Sequence, residues 1–277
     1  MNNKFELSNE YALVRVLSVK RYTNNLINFE IARPKKMKFK PGEFIMIGLI
    51  IRGELVFRAY SICSPTWSNT LEFYSVKVPN GLFTTFLHTI TTKSSVIIKM
   101  KPAGNLILET LRPGKRLFLL CTGTGVSPFI SIIFNHETYI KYNEVIVVLT
   151  CRYSQDLQFF NNKLKQLTKV SHIRPYAKNK LRFHLSVTRE LYPYIGRITW
   201  LIKSGRIIAD LMTYNFNKMD RFMICGSWQM VFNVTKLLKN IGYKRGTTNN
   251  PQDFVYEKAY INYLRGKKIE SNLWLTG

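Results

Sequence analysis

The sequence lacks any Cys-x-x-Cys pair. Its four cysteines, at positions 63, 121, 151 and 225, lie far apart in the chain. This spacing argues against a zinc site, an iron–sulfur cluster and a dithiol redox centre. We therefore expect reduced thiols and no bound metal.

Long apolar runs are also missing. No stretch approaches the roughly 18 consecutive apolar residues that a membrane-spanning helix needs. The first ten residues include Glu6 and Glu10 and have no apolar segment of the kind found in signal peptides. We expect a monomer in the cytoplasm with no membrane insertion.

Acidic residues are scarce: 16 Asp and Glu stand against 41 Lys and Arg, which gives a net charge of +25. Such an excess attracts anionic partners, either nucleic acid or an acidic protein. Part of it could instead reflect biased nucleotide composition of the source genome. The densest basic group is either a solvated loop or a docking patch; it contains Arg33, Lys35, Lys36, Lys38 and Lys40.

The length of 277 residues favours two domains, since a domain usually has roughly 100 to 200 residues. The first hundred residues contain short segments rich in β-branched and aromatic residues, separated by turn signals. We predict strands at 11–20, 26–32, 43–51, 56–61, 71–78 and 95–100. Strands of this kind favour a small antiparallel β-barrel.

From Arg116 onward, strands alternate with helical stretches. Residues 117–121 form an apolar strand, 123–128 a glycine turn, and 129–134 the start of a helix. Further strands are predicted at 145–150 and 221–225, the latter followed by a helix through Leu238. This rhythm is typical of a doubly wound α/β domain with a parallel sheet. The predicted domains are 1–100 and 101–260, with 261–277 as an extension of unknown role.

Two motifs in the barrel half fit a ligand with phosphates and a flat ring. Arg58 and Tyr60 lie two residues apart on a strand and so share one face. A guanidinium beside an aromatic ring suits such a ligand, although a surface arginine on an ordinary strand is the alternative. After Gly81, the hydroxyls of Thr84 and Thr85 lie at the start of a helix, where they either bind phosphate or cap the helix.

A glycine turn, 123–128, connects a strand of the second half to the helix that follows it. Its glycines let a ligand approach the backbone closely, and Pro128 suits a first helical turn. The turn is not a GxGxxG fingerprint, because Pro128 takes the last glycine position, and it is not a Walker A loop. Arg152 ends the next strand, at the edge where doubly wound sheets bind ligands. It suits a nucleotide phosphate, with an ordinary surface arginine as the alternative.

Seven segments in their order along the chain resemble the ferredoxin–NADP reductase family, in particular its bacterial branch, over about residues 10–260. These segments are Arg58–Ser61, the Gly81 turn, Gly123–Pro128, Thr150–Arg152, Val187–Glu190, Gly196–Thr199 and Cys225–Ser227. The resemblance implies an enzyme with an FAD-binding barrel and an NADP-binding α/β domain. It would transfer hydride between nicotinamide C4 and FAD N5, and exchange electrons with an acidic ferredoxin or flavodoxin.

The resemblance also assigns residues to each part of the site. The implied FAD contacts are Arg58, Tyr60, Ser61, Val76, Lys77, Val78, Thr84, Thr85, Ala259 and Tyr260. The implied NADP(H) contacts are Gly123, Thr124, Gly125, Val126, Arg152, Thr188, Arg189, Arg197, Cys225, Gly226 and Ser227. The implied catalytic group consists of Cys225 near the nicotinamide, Ser61 near flavin N5, Tyr60 stacked on the isoalloxazine and Ala259 beside it.

The predicted arginines favour NADP over NAD, because a 2′-phosphate calls for arginines whereas NAD sites usually place an acid on the ribose. Asp156 and Glu190 lie close to these arginines and keep NAD as the weaker option. One departure from the family pattern is Phe86, which stands where a basic residue often follows the Gly81 turn. The extension 261–277 is another.

Two rival functions remain open. One is a related reductase acting on free flavin, quinone or cytochrome. The other is a basic nucleic-acid-binding protein built on a decayed reductase scaffold, which would purify without colour.

Overall fold

The computed structural model describes residues 10–258. The predicted site residues Ala259 and Tyr260 and the extension 261–277 lie outside the described residues. Among the helices between residues 10 and 258, none has the length and apolar character needed to cross a membrane.

The amino-terminal half is a six-stranded antiparallel sheet. Its strands are β1 (Tyr11–Thr23), β2 (Leu26–Ala32), β3 (Phe44–Ile51), β4 (Glu54–Ser61), β5 (Thr70–Val76) and β6 (Ser95–Lys99), in the spatial order β4-β3-β6-β1-β2-β5. Helix α1 (Leu82–Leu87) joins β5 to β6. The prediction of an antiparallel barrel is confirmed.

Local sequence explains how this sheet turns and closes. The hairpin between β3 and β4 has two central residues, Arg52 and Gly53, with φ of 53° and 84°, as the twist of a two-residue hairpin demands. The sheet curls so that its two outer strands, β4 and β5, meet. There the Tyr60 and Ser75 hydroxyls lie 3.1 Å apart, joining β4 to β5.

The carboxyl-terminal half is a five-stranded parallel sheet. Its strands are β7 (Arg116–Thr122), β8 (Glu144–Cys151), β9 (Leu181–Val187), β10 (Asp220–Gly226) and β11 (Phe254–Lys258), in the order β11-β10-β7-β8-β9. The helices are α2 (Ser127–Ile133), α3 (His136–Lys141), α4 (Gln158–Leu167), α5 (Arg174–Ala177), α6 (Ile198–Lys203), α7 (Arg206–Asp210) and α8 (Trp228–Asn240). The prediction of a doubly wound α/β domain is confirmed.

The strand order locates the crevice of this sheet. The chain proceeds from β7 to β8 and β9 on one side, and then returns to β10 and β11 on the other. The order therefore reverses between β7 and β10, and ligands of such sheets bind beyond the carboxyl ends of the strands at that point. Gly123 follows β7 and Gly226 ends β10, so both predicted glycine segments border the crevice.

The central strands are apolar on both faces because helices cover both sides of the sheet. On one face, Leu119 and Val147 pack in a cluster with Phe129 of α2. On the other face, Phe118 and Ile146 pack in a cluster with residues of α6 and α8. A near-continuous apolar run such as 145–149 is therefore completely buried.

The two halves are joined by polar as well as apolar contacts. Lys163 of α4 reaches Glu72 of β5 at 2.5 Å, and both side chains are about nine-tenths buried. The Ser131 hydroxyl of α2 donates to the Ser64 carbonyl at 2.9 Å. These contacts fix the carboxyl-terminal sheet against the barrel.

The densest basic group does not act as one surface. The Arg33 guanidinium donates to the carbonyls of Met37, Thr66 and Ser68 at 2.6 to 3.1 Å, so it holds two loops of the barrel together. Lys35, Lys36 and Lys38 are exposed, as is Lys40, which pairs with Glu109 at 3.4 Å. Arg33 is thus a structural residue, and only the lysines present their charge to solvent.

Candidate active site

The predicted flavin residues of the barrel come together where β4, β5 and α1 meet. The Arg58 guanidinium lies 5.9 Å from the centre of the Phe83 ring of α1. The Tyr60 ring lies 6.1 Å from the same ring, and its hydroxyl contacts Ser75 of β5. Arg58 and Tyr60 therefore share one face, as their spacing predicts.

The Gly81 turn brings the end of β5 against α1. The Thr84 hydroxyl accepts from the Val78 backbone N–H at 3.0 Å and donates to the Gly81 carbonyl at 3.1 Å. Thr84 thus closes its own loop, and no side chain caps the start of α1. Thr85 and Lys77 are exposed beside it and present their polar groups to solvent.

The glycine turn after β7 packs tightly on one side and is open on the other. A Cβ on Gly125 would lie 2.4 Å from the Cys225 carbonyl oxygen, whereas nothing lies within 4 Å of a Cβ on Gly123. Gly226 has φ of 155°, and a Cβ there would lie 2.2 Å from the Thr122 hydroxyl. That hydroxyl accepts from the Ser227 N–H at 3.1 Å. The ends of β7 and β10 are in direct contact, and the open side of Gly123 leaves its backbone accessible to a ligand.

Gly125→Ala is expected to slow the reaction of the nucleotide with this site by about 10²-fold, since a displacement of about 1 Å at a reacting centre costs that much. The physical reason is that the added Cβ would lie only 2.4 Å from the Cys225 carbonyl oxygen, which forces the end of β10 to shift. Rapid-reaction measurement of flavin reduction by the nucleotide checks this. Gly205→Ala is the control for backbone strain alone, because its φ of 70° disfavours alanine while its added Cβ meets nothing within 4 Å. A Gly125 variant as fast as that control would show that the contact is irrelevant.

Cys225 and Glu257 lie side by side on the parallel sheet, where Glu257 contacts the chain that follows the barrel. Cys225 of β10 is directly paired with Glu257 of β11. The Glu257 carboxylate accepts from the Asn105 N–H at 2.7 Å and lies 2.9 Å from where a Cβ on Gly104 would stand. The same Cβ position is 3.4 Å from Phe44, the strand partner of Ser61. The Glu257 carboxyl thus connects the parallel sheet to the barrel beside Phe44 of β3, the residue paired with Ser61 of β4.

Burial decides the protonation of this thiol and this carboxyl. Burial raises the pKa of Glu257 to about 7, and hydrogen bonds from the backbone of Asn105 and Leu106 oppose the rise. Burial, and next the nearby Glu257 charge, raise the pKa of Cys225 well above its ordinary value. Cys225 is therefore a neutral thiol, which agrees with a contact role and not with nucleophilic attack. Glu257 is poised to gain or lose a proton near neutral pH.

Glu257→Gln is expected to change how stability depends on pH. Because the folded pKa is raised, the folded chain binds more protons than the unfolded chain between about pH 4.5 and 7, so the parent loses stability as the pH rises through that window. Each unit of pKa shift corresponds to about 1.4 kcal/mol, so the loss is on the order of 2–3 kcal/mol. The neutral variant should lack this slope. Urea unfolding at a series of pH values measures both proteins, and parallel pH profiles would contradict the assignment.

The predicted phosphate-binding residues meet at the carboxyl ends of β8 and β9. The Arg189 N–H donates to the Arg152 carbonyl at 3.0 Å, and the Thr188 hydroxyl donates to the Cys151 carbonyl at 3.4 Å. The chain then folds back, since the Gly196 N–H donates to Val187 and places Arg197 at the same edge. The side chains of all three arginines are exposed.

The two acids beside these arginines differ in their surroundings. Burial raises the pKa of Asp156, which the nearby Arg152 charge partly offsets. Glu190 is exposed, and its carboxylate accepts a hydrogen bond from the Ser154 backbone N–H. Hydrogen bonds from Ser154 lower the pKa of Glu190. Glu190 is therefore an ionised residue that joins two loops.

Sequence reasoning missed two residues of this region. Thr122 was given no role, although its hydroxyl holds the loop after β10. Glu257 was given no role of its own, although it is the buried acid beside Cys225. An acid directly after the apolar run Phe254–Tyr256 was the available signal for Glu257. Thr122 had none, because its partner is distant in sequence.

Comparison with known proteins agrees with this geometry. The family described as "Oxidoreductase FAD-binding domain" matches residues 13–107. The chain is 40% identical over 248 residues to a flavodoxin/ferredoxin–NADP reductase of Rhodobacter capsulatus, a match that covers 89% of this chain and 92% of that protein. It is 38% identical over 257 residues to a ferredoxin–NADP reductase of Pseudomonas aeruginosa, covering 92% and 99% respectively. The chain belongs to the ferredoxin–NADP reductase family. The predictions of family and of an oxidoreductase are thereby confirmed.

A solved structure supports the same placement within the ferredoxin–NADP reductase family. It is a ferredoxin NADP⁺ reductase from Neisseria gonorrhoeae with bound FAD and NADP, with a TM-score of 0.83 and 28% identity. The match covers 91% of this chain and all of that chain. At the level of the family, the predicted cofactors FAD and NADP(H) are confirmed.

Proposed function

We propose that this member of the ferredoxin–NADP reductase family moves electrons between NADP(H) and an acidic ferredoxin or flavodoxin. The observation that carries the proposal is the meeting of two half-sites. The barrel face of Arg58 and Tyr60 lies on one side, and the crevice between Gly123 and Gly226 lies on the other. Glu257, the strand partner of Cys225, joins the two: its carboxylate contacts Asn105 and the Gly104 position, next to Phe44, which pairs with Ser61.

The barrel residues fit FAD by their chemistry. Arg58 would bind the pyrophosphate together with Thr85, Tyr60 would stack on the isoalloxazine, and Ser61 would hydrogen-bond near its N5. Thr84 would lie beside Thr85 at the pyrophosphate. Val76, Lys77 and Val78 would run along the flavin, and Ala259 and Tyr260 would complete its cover. When bound, FAD accepts a hydride from nicotinamide C4 at N5 and releases electrons singly, while the protein supplies position and electrostatics.

The nucleotide fits the crevice between β7 and β10. Gly123, Thr124, Gly125 and Val126 would receive the nicotinamide nucleotide along the open side of Gly123. Cys225, Gly226 and Ser227 would flank the nicotinamide, with the neutral Cys225 thiol in contact and not as a nucleophile. Glu257 would hold or release a proton beside them.

The choice of NADP over NAD is supported by the edge of β8 and β9. Arg152, Thr188, Arg189 and Arg197 would bind the adenosine 2′-phosphate. Of the two acids that could have favoured NAD, Asp156 and Glu190, the second is engaged with the Ser154 backbone. The Glu190 carboxylate therefore has a structural role, and this weakens the case for NAD.

The charge of the chain supports an acidic carrier. Six carboxylates of the described part form ion pairs within it: Glu72, Glu109, Glu144, Asp210, Asp220 and Asp253. These pairs engage basic side chains as well, so the excess of 41 Lys and Arg over 16 acids, a net charge of +25, is not offset. A surface of one sign steers an oppositely charged partner to it at low ionic strength.

Electron delivery to the carrier tests the proposal. The FAD-loaded protein, reduced by NADPH, should reduce an acidic ferredoxin or a flavodoxin, and the rate should fall steeply with salt because exposed charges are screened beyond about 10 Å at 0.1 M. Reduction of the flavin by NADPH should change far less. A protein that reduces free flavin or quinone but neither carrier would instead be the rival reductase.

A further inference from the structure

Three successive hydrogen bonds join the loops that follow β8 and β9. The Thr188 hydroxyl donates to the Cys151 carbonyl, the Arg189 N–H to the Arg152 carbonyl, and the Ser154 N–H to the Glu190 carboxylate. The first two bonds measure 3.4 and 3.0 Å. Only the third one depends on a carboxylate side chain.

The third bond lies next to both arginines in sequence. Ser154 is the second residue after Arg152 and begins a short 3₁₀ turn, Ser154–Leu157. Glu190 directly follows Arg189. A hydrogen bond between Ser154 and Glu190 therefore restricts the backbone that carries Arg152 and Arg189. It is the last of the three bonds that join the two loops.

The charge of Glu190 is otherwise unfavourable at this place. Hydrogen bonds from Ser154 lower its pKa, so the carboxylate is ionised at neutral pH. An ionised acid beside a site for a 2′-phosphate repels that phosphate, whereas its hydrogen bond orders the loops. The two effects act in opposite directions, and a pair of variants separates them.

We propose that Glu190 is a positioning residue: it holds the loop of Arg152 against the loop of Arg189 and so sets the preference for nucleotides that carry a 2′-phosphate. This inference rests on the proposed function, in which Arg152 and Arg189 bind that phosphate. Glu190 itself does not touch the nucleotide. Its contribution is the reduced freedom of two loops, which lowers the entropy lost when the arginines close on the phosphate.

The variants Glu190→Ala and Glu190→Gln test the inference by calorimetric binding of 2′,5′-ADP and 5′-ADP to the FAD-loaded full chain. Alanine removes the acceptor, so the Kd for 2′,5′-ADP should rise about 3- to 10-fold, the range of one hydrogen bond. Glutamine keeps an acceptor and loses the charge, so its Kd should equal the parent's or be lower. The Kd for 5′-ADP should stay within about twofold in both, since it has no 2′-phosphate.

Glu137→Ala is the matched control, because Glu137 is an exposed acid on α3 and its loss changes the net charge equally. The KM for NADPH should change as the Kd for 2′,5′-ADP does, rising in Glu190→Ala and not in Glu190→Gln. The kcat should stay unchanged, because the 2′-phosphate is remote from the reacting carbon.

Other results would overturn the inference in distinguishable ways. If the alanine and glutamine variants both bind 2′,5′-ADP more tightly than the parent, Glu190 acts only through its charge. If both weaken 5′-ADP as much as 2′,5′-ADP, Glu190 contacts the ribose, as in an NAD site. If the parent binds 2′,5′-ADP no better than 5′-ADP, both this inference and the choice of NADP fail. If the parent prefers 2′,5′-ADP and the Glu190→Ala variant binds both nucleotides as the parent does, the inference about Glu190 fails while the choice of NADP stands.

Discussion

Replacement of Arg152 and Arg189 together by alanine is expected to abolish most of the preference for NADPH over NADH. The two residues lie on adjoining loops, joined by the bond from the Arg189 N–H to the Arg152 carbonyl. Hydrogen bonds to a charged group contribute about 1.5–3 kcal/mol each, and exposure places these at the lower end. The ratio of kcat/KM for NADPH to that for NADH should thus fall on the order of 10²-fold.

This loss should appear mainly in the KM for NADPH, because the 2′-phosphate is remote from the reacting carbon. Steady-state kinetics with both nucleotides measures it. The control is Lys35→Ala with Lys36→Ala, which removes two exposed charges from the barrel. A double arginine variant that keeps the parent's ratio would remove both residues from the site and reopen NAD specificity.

Lys163→Met is expected to lower the free energy of unfolding by about 3–5 kcal/mol, the usual cost of leaving a buried charge without its partner. Lys163 and Glu72 form a 2.5 Å ion pair across the two halves, with side chains 11% and 10% exposed. Asn28 also donates to the Glu72 carboxylate, at 2.9 Å, and keeps it in place. The charge would therefore stay buried when Lys163 is lost. Urea denaturation measures the change.

Lys165→Met provides the control on the same helix, since Lys165 is exposed. Adding Glu72→Gln to Lys163→Met should recover much of the loss, because no charge is then left unpaired. If Lys163→Met is no more destabilised than Lys165→Met, the pair contributes nothing to joining the halves.

Local pattern accounts for most of the barrel and part of the parallel sheet. The six predicted strands of the barrel match β1 to β6 because half-buried strands alternate in side-chain character. The apolar runs at 117–121 and 145–150 identified β7 and β8 for the same kind of reason, since a strand buried on both faces is apolar throughout.

Two strands of the parallel sheet were not predicted. Strand β9 contains Arg182 and His184, which look unlike a buried strand. Both side chains have partners far away in sequence, since Arg182 pairs with Glu144, and His184 Nε2 lies 2.9 Å from the Asp210 carboxylate. Strand β11 has only five residues at an edge of the sheet, a length that gives little periodicity.

The site shows the same division between local and distant information. The order of the motifs placed Arg58, Gly123 and Cys225 on the correct elements. The roles of Glu257 and Glu190 depend on contacts that span 152 and 36 residues. Such contacts follow from how the two sheets pack, which no local pattern encodes.

Anaerobic mixing of the purified, FAD-loaded protein with NADPH or NADH tests the central claim most directly, with flavin absorbance as the readout. The account predicts a yellow protein that releases FAD and not FMN on denaturation, and whose flavin is bleached by NADPH far faster than by NADH. A protein that binds no flavin after reconstitution, or whose flavin NADPH fails to reduce, would contradict it.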